Sequence, residues 1–350
     1  MQRNHFYQSI RPWWFWACVA VTITTSWLVQ EKFASAQTPN LSDRLRCDPT
    51  KVLTADSCAR CHANEVQVWQ QTPHFRTFES MHRDPRAQQI AERMGLRSIK
   101  RSDVCINCHY TMQEQGGNLR AVSGISCESC HGAALDWLEI HNDYGGPTAT
   151  KGSESAAHRQ QRVDKSIQRG MRNPNNVYLI ARSCLECHTV PHEELVNVGG
   201  HKSGSVDFEL VSWSQGRLRH NFSRTDGRAN ATNPIERIRV MYVVGLIAEL
   251  EFSTRATSKA TKKAEYGLAV ANRAAKTATK LYEIQQQIND PILEQVLVTF
   301  AEAELRLNNQ QQLLTIAERI SDLGFEFAQA ADGSKLAAID HLIPKPEQYK

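Results

Sequence analysis

Four times the chain writes Cys-x-x-Cys-His: at Cys58, Cys61 and His62; at Cys105, Cys108 and His109; at Cys127, Cys130 and His131; and at Cys184, Cys187 and His188. One short turn of this kind presents two sulfurs to an edge of a porphyrin and an imidazole to its centre. The spacing reads as covalent attachment of c-type haem. The eight cysteines are then thioether donors, and His62, His109, His131 and His188 are proximal iron ligands. Zinc-binding cysteine pairs are the competing reading, but a zinc site does not require a histidine at the same offset every time. Four macrocycles would fill much of the interior that apolar side chains fill elsewhere.

The N-terminus agrees with a compartment in which such haem is attached. Arg3 and Arg11 precede an apolar stretch from Trp13 to Val29, followed by Ala34-Ser35-Ala36. A positive start, an apolar middle and a small-x-small site describe a secretory signal, with cleavage expected after Ala36. The alternative is a retained anchor, which Trp13, Trp14 and Trp16 would suit at a membrane interface. The stretch is short for a bilayer span, which needs about 20 residues. Either way the body of the protein is expected to be exported, to the periplasm or the outer face of the cytoplasmic membrane. Of ten cysteines, eight belong to the motifs and Cys18 lies in the signal, leaving Cys47 as an incidental thiol. The formal net charge of +4 comes without a nucleic-acid motif, so no nucleic-acid partner is expected.

After residue 36 the chain changes grammar once. Residues 47–225 are rich in Cys, His, Gly and short polar stretches, and are expected to form a tetrahaem domain of short helices and loops with little sheet. Residues 233–343 hold no cysteine and are expected to be helical. There Asn233-Pro234 reads as a helix start, Ile235 to Ile288 as helix, and Asn289-Asp290-Pro291 as a break with a newly capped start. Gly324 reads either as a C-cap or as an ordinary helix glycine. The expected fold is mainly α: a multihaem cytochrome domain followed by a C-terminal helical hairpin or bundle.

Composition does not select the second axial ligands from His74, His82, His141, His158, His192, His201, His220 and His341. A resemblance narrows them. After the first motif come Glu65, Trp69, Thr72, His74 and Phe78, and the third sits in Gly124-Ile125-Ser126-Cys127-Glu128-Ser129-Cys130-His131-Gly132, with His141 ten residues on. These features resemble the tetrahaem cytochrome c-554/c-552 family, over roughly Ser57 to Phe222. The resemblance implies four haem c groups, three with paired histidines and one five-coordinate. It implies His74, His141 and His220 as distal ligands, and an open iron at the His109 haem. His192 and His201 are the rivals that would close it. Pro73 before His74, and Ala133 where Pro is common, depart mildly from the family pattern.

Two functions follow as expectations. One is electron relay between a donor and an acceptor redox protein, with a membrane-bound respiratory partner as a further possibility. The other is a haem enzyme using the iron at His109 on a small nitrogen compound such as nitric oxide or hydroxylamine. The second needs a proton donor, for which Asp103, Tyr110 and Glu114 are the near groups in sequence.

Overall fold

A computed structural model describes residues 47–350. The expected signal, its Ala36 cleavage site and Cys18 lie outside the described residues. No helix among the described residues is long and apolar enough to cross a membrane.

The motif half is built from short pieces. Helices α1 (Ala55–Ala59), α2 (Ala63–Trp69), α3 (Pro73–Ser80) and α4 (Pro85–Arg93) lead to α5 (Asp103–His109), which carries the second motif. A hairpin of β1 (Thr111–Gln115) and β2 (Asn118–Ser123) follows, paired antiparallel with an irregularity beside Thr111. Then come α6 (Cys127–His131), α7 (Leu138–His141), α8 (Ala156–Gln168), α9 (Val177–His188), α10 (Glu193–Asn197) and α11 (Leu210–Ser214). Each of the last three motifs lies at the C-terminal end of a helix: α5, α6 and α9. The starts are capped as their sequences dictate. Thr72 accepts from Phe75 N with Pro73 at the first helical position, and Asp84 accepts from Arg86 N and Ala87 N with Pro85 in the same place. Pro73 is thus a helix-start residue that suits the position before His74.

Helices dominate the second half: α12 (Ile235–Ser258), α13 (Glu265–Ile288), α14 (Pro291–Ala301) and α15 (Gln310–Ala330), then a 3₁₀ stretch over Gly333–Leu342. The continuous helix expected from Ile235 to Ile288 is interrupted. It stops after Ser258, and Glu193 reaches across to accept from the backbone of Thr261 and Lys262 in the gap. Polar groups of a neighbouring element hold the break, which periodicity alone does not register. Asn233 is not the cap of α12; Pro234 holds that position, without a side-chain bond. At the other break, Asn289 is left-handed at φ +48° and Asp290 accepts from Ile292 N and Leu293 N, as the residues indicate.

The largest core does not respect the change of grammar. Val177, Tyr178, Ala181 and Leu185 of α9 pack in the same cluster as Ile247 and Leu250 of α12, Leu281 of α13 and Ile320 of α15. Gly324 is a mid-helix glycine of close approach: a Cβ there would stand 2.3 Å from the Tyr178 ring. Within this core lies a buried polar knot. Arg182 and Glu251, 1% and 0% exposed, pair at 3.0 Å; Tyr178 donates to Glu251 at 2.7 Å, and Arg182 to Ser321 at 2.8 Å. The helix that ends in the fourth motif is therefore keyed into the C-terminal bundle by charge as well as by packing.

Removing one partner of a buried ion pair leaves the other uncompensated, at about 3–5 kcal/mol. Glu251→Ala is expected to lower stability by that amount in thermal unfolding. The fourth motif's segment is expected to loosen with the bundle rather than independently of it.

Candidate haem-binding site

The four motif histidines each face one other histidine. His62 and His141 have ring centres 6.3 Å apart, His74 and His188 6.3 Å, His109 and His201 6.4 Å, and His131 and His220 6.1 Å. Two imidazoles bound to one iron from opposite sides stand roughly 6 Å apart, centre to centre. That is two metal–nitrogen bonds of about 2 Å plus half a ring on each side. The rings are too far apart to be packed on each other, and the same gap recurs four times. The residues therefore fit four haem groups. No three His, Cys, Asp or Glu side chains converge among the described residues, as a zinc site would require.

Hydrogen bonds to the far side of the rings fix several of them. His131 Nδ1 lies 3.3 Å from the Arg172 carbonyl, His201 Nδ1 2.8 Å from the Lys202 carbonyl, and His220 Nδ1 2.6 Å from the Leu218 carbonyl. His141 Nδ1 meets the Leu138 carbonyl. A carbonyl only accepts, so the proton sits on Nδ1 and the Nε2 lone pair is left for a metal. His188 Nδ1 is 2.9 Å from Ser205 Oγ, and His62 Nδ1 is 3.6 Å from Glu65. Burial pushes His109, His131 and His188 down to about 4 and lowers His74 and His141 as well. These imidazoles are neutral at physiological pH, the form that ligates iron.

The sequence around the third motif has a physical reason at each position. A Cβ on Gly124 would lie 2.1 Å from the His74 carbonyl, and Ile125 N donates to that same carbonyl at 3.1 Å. Trp69 Nε1 donates to the Ile125 carbonyl at 2.8 Å. The first motif's trailing segment and the third motif's leading segment are thus one unit. Glu128 is 1% exposed and accepts from Leu53 N, Thr54 N and Ala134 N at 2.8–2.9 Å, with burial raising its carboxyl above the usual range. Gly132 turns at φ +88° against the Gly170 carbonyl, which a Cβ would meet at 2.3 Å.

Several supporting groups lie outside any motif. Arg172 donates to the Ser129 carbonyl, Arg162 to the His141 carbonyl, and Arg273 of α13 to the His188 carbonyl. Phe208 stacks beside the His188 ring, with centres 5.0 Å apart. Lone arginines far away in sequence carry no spacing signal, so the sequence offered no means of finding them.

The cysteines also come together between motifs. The Cys127 thiol lies against Cys58, and the Cys187 thiol against Cys108, while the helices that carry Cys130 and Cys184, α6 and α9, pack together. Among the other candidates, His192 caps α10 by accepting from Leu195 N, and His158 pairs with Glu154. His341 bonds the Ala338 carbonyl. None of these three faces a proximal histidine. The position opposite His109, open in the family pattern, faces His201. Asp103 and Glu114 lie in α5 and β1, and Tyr110 is 4% exposed in the cluster around Cys105 and Ile106. Cys47 is a free thiol that burial pushes up to about 12, far from a reactive thiolate.

Residues 57–132 match the family model described as cytochrome c554 and c-prime. A 96-residue stretch is 28% identical to cytochrome c-554 of Nitrosomonas europaea, covering 25% of this chain and 41% of that protein. These similarities support a c-type cytochrome, with covalently bound haem c. The chain spans about two-fifths of the length of that relative. No solved structure matches the chain.

Two outcomes test this geometry. Gly124→Ala forces a Cβ into the His74 carbonyl, so low-spin signal from one iron is expected to fall while attached haem is retained. Glu154 holds Arg162, which holds His141, and the Arg162 hydrogen bond lowers the Glu154 carboxyl from 4.5 to about 2. A depressed carboxyl stabilises the fold above its unfolded value and loses that contribution as pH falls through the folded one. The stability difference between wild type and Glu154→Gln is expected to be full above about pH 4.5 and to vanish near pH 2.

Proposed function

We propose that this protein is an exported tetrahaem c-type cytochrome that relays electrons between redox partners. The observation that carries the reading is the fourfold repetition of one geometry: a motif histidine, a gap of 6.1–6.4 Å, and a second imidazole. Haem c, when attached, supplies one-electron redox chemistry at iron. The chain's own contribution would be to hold the paired imidazoles, fix the tautomers of several of them and bury His109, His131 and His188. Cys58, Cys61, Cys105, Cys108, Cys127, Cys130, Cys184 and Cys187 are the attachment residues in this reading. His62 with His141, His74 with His188, and His131 with His220 are three of the ligand pairs. His74 thus serves the fourth motif and His141 the first, so distal ligands cross between segments.

The cysteine contacts support an order of sites that differs from chain order. The first site neighbours the third, the third the fourth, and the fourth the second. The helices carrying these motifs touch in the same sequence: α1 with α6, α6 with α9, and α9 with α5. The first and second sites then stand at the ends of the row.

Intact mass and pyridine haemochromogen analysis of the purified protein are expected to give four haems per chain, with four electrons taken up on full reduction. His74→Ala is expected to convert one low-spin haem to high-spin without losing covalent haem. Fewer than four attached haems, or an unchanged spin count in His74→Ala, would overturn the reading.

A further inference from the structure

The second motif is where this chain parts from the pattern that it resembles. His109 is faced by His201 at 6.4 Å between ring centres, the same spacing as the other three pairs. We propose that His201 is the sixth ligand of the iron at the second motif, so that no iron in this protein keeps an open position. The proposal rests on the tetrahaem reading and adds to it that the second site is built for electron transfer rather than for binding a small nitrogen compound.

The placement of His201 is specified by its backbone. Helix α10 ends in a reversal in which Gly199 N donates to Glu194, Gly200 N to Val196 and His201 N to Leu195, at 3.1–3.2 Å. Gly200 has φ +73°, a conformation that glycine adopts without strain. A Cβ on Gly199 would meet the Leu195 carbonyl at 2.6 Å and Met94 at 3.1 Å. Arg93, at the end of α4, reaches the Gly199 carbonyl at 3.5 Å, and Ala91 of that helix packs in the same cluster as Cys105 and Ile106 of the second motif. The turn carrying His201 is therefore tied to the wall of the second site itself.

The ring is prepared for a metal. Its Nδ1 donates to the Lys202 carbonyl at 2.8 Å, which leaves Nε2 as the lone-pair nitrogen. His192, the other rival from the same region, spends its Nδ1 lone pair on the α10 cap. One histidine of this segment is committed to capping a helix and the other stands across from His109. With haem attached, a small molecule would reach the iron only by displacing a histidine held by a fixed turn, which would disfavour turnover at this site.

The test uses the purified holoprotein, with haem count read first so that failure of the tetrahaem reading is seen separately from failure of this proposal. With four haems attached, the ferric wild type is expected to show only low-spin signals in electron paramagnetic resonance. The ferrous form is expected to bind no carbon monoxide. His201→Gly is expected to turn one haem in four high-spin and to bind one carbon monoxide per chain, with added imidazole restoring the low-spin state. His192→Ala is expected to leave both readouts unchanged. If His201→Gly fails to load haem, His201→Met keeps a ligating side chain and is expected to raise the potential of one haem. A high-spin signal and carbon monoxide binding in the wild type would overturn the assignment. Spin state unaltered by His201→Gly, or four unaltered potentials in His201→Met, would do the same.

Discussion

One distance recurs through the motif half of this structure: 6.1–6.4 Å between the centres of paired imidazole rings. A motif can present one histidine by local geometry, because Cys-x-x-Cys-His is a single turn. The second histidine must come from elsewhere and stop about 6 Å short of the first. With haem attached, four such pairs would tie the chain to itself at four places: residue 62 to 141, 74 to 188, 109 to 201 and 131 to 220. The short helices, the tight glycines at 124, 132 and 200, and the buried Glu128 are the means of setting those spans. None of the helices in the motif half is long enough to be stable on its own propensity. Their conformations are held by caps and by crossing hydrogen bonds.

The C-terminal helices belong to the same problem. Helix α9 ends in the fourth motif and begins in the main apolar core, so its orientation is decided by α12 and α15. Arg182 and Glu251 fix its depth, and Arg273 reaches back to the carbonyl of His188. A buried charged pair is weak evidence for net stability, and here it joins α9 to α12 through Arg182, Tyr178 and Glu251. The bundle thus backs the helix that carries the fourth motif, which touches the helices of both the third and the second.

Much of the site was legible because covalent haem attachment demands fixed spacing. The motif histidines and the cysteines follow from the motif, whereas His74, His141 and His220 were implied only by a family resemblance; each stands opposite a motif histidine. His201 was harder to choose over His192. Both lie on the same short segment, both follow a turn, and the difference is that one accepts a helix-capping bond while the other faces His109. Helix breaks were legible where the residues carry them, as at Asn289-Asp290-Pro291. The gap after Ser258 was not, since Glu193 holds it from nearly seventy residues away.

The sequence by itself determined the motif chemistry: which thiols and imidazoles stand at haem-attachment spacing, and that its second half is helical. These are local properties, set by spacing within five residues or by periodicity along one helix. Tertiary structure decided the pairing. It alone brings His188 to His74 rather than to a nearer histidine and sets His201 opposite His109. It also places the sites in an order different from that of the motifs, and makes Gly324 a contact for Tyr178 rather than a helix end. Each of these depends on two segments meeting across a long span of chain, and neither segment carries a record of the other in its own residues.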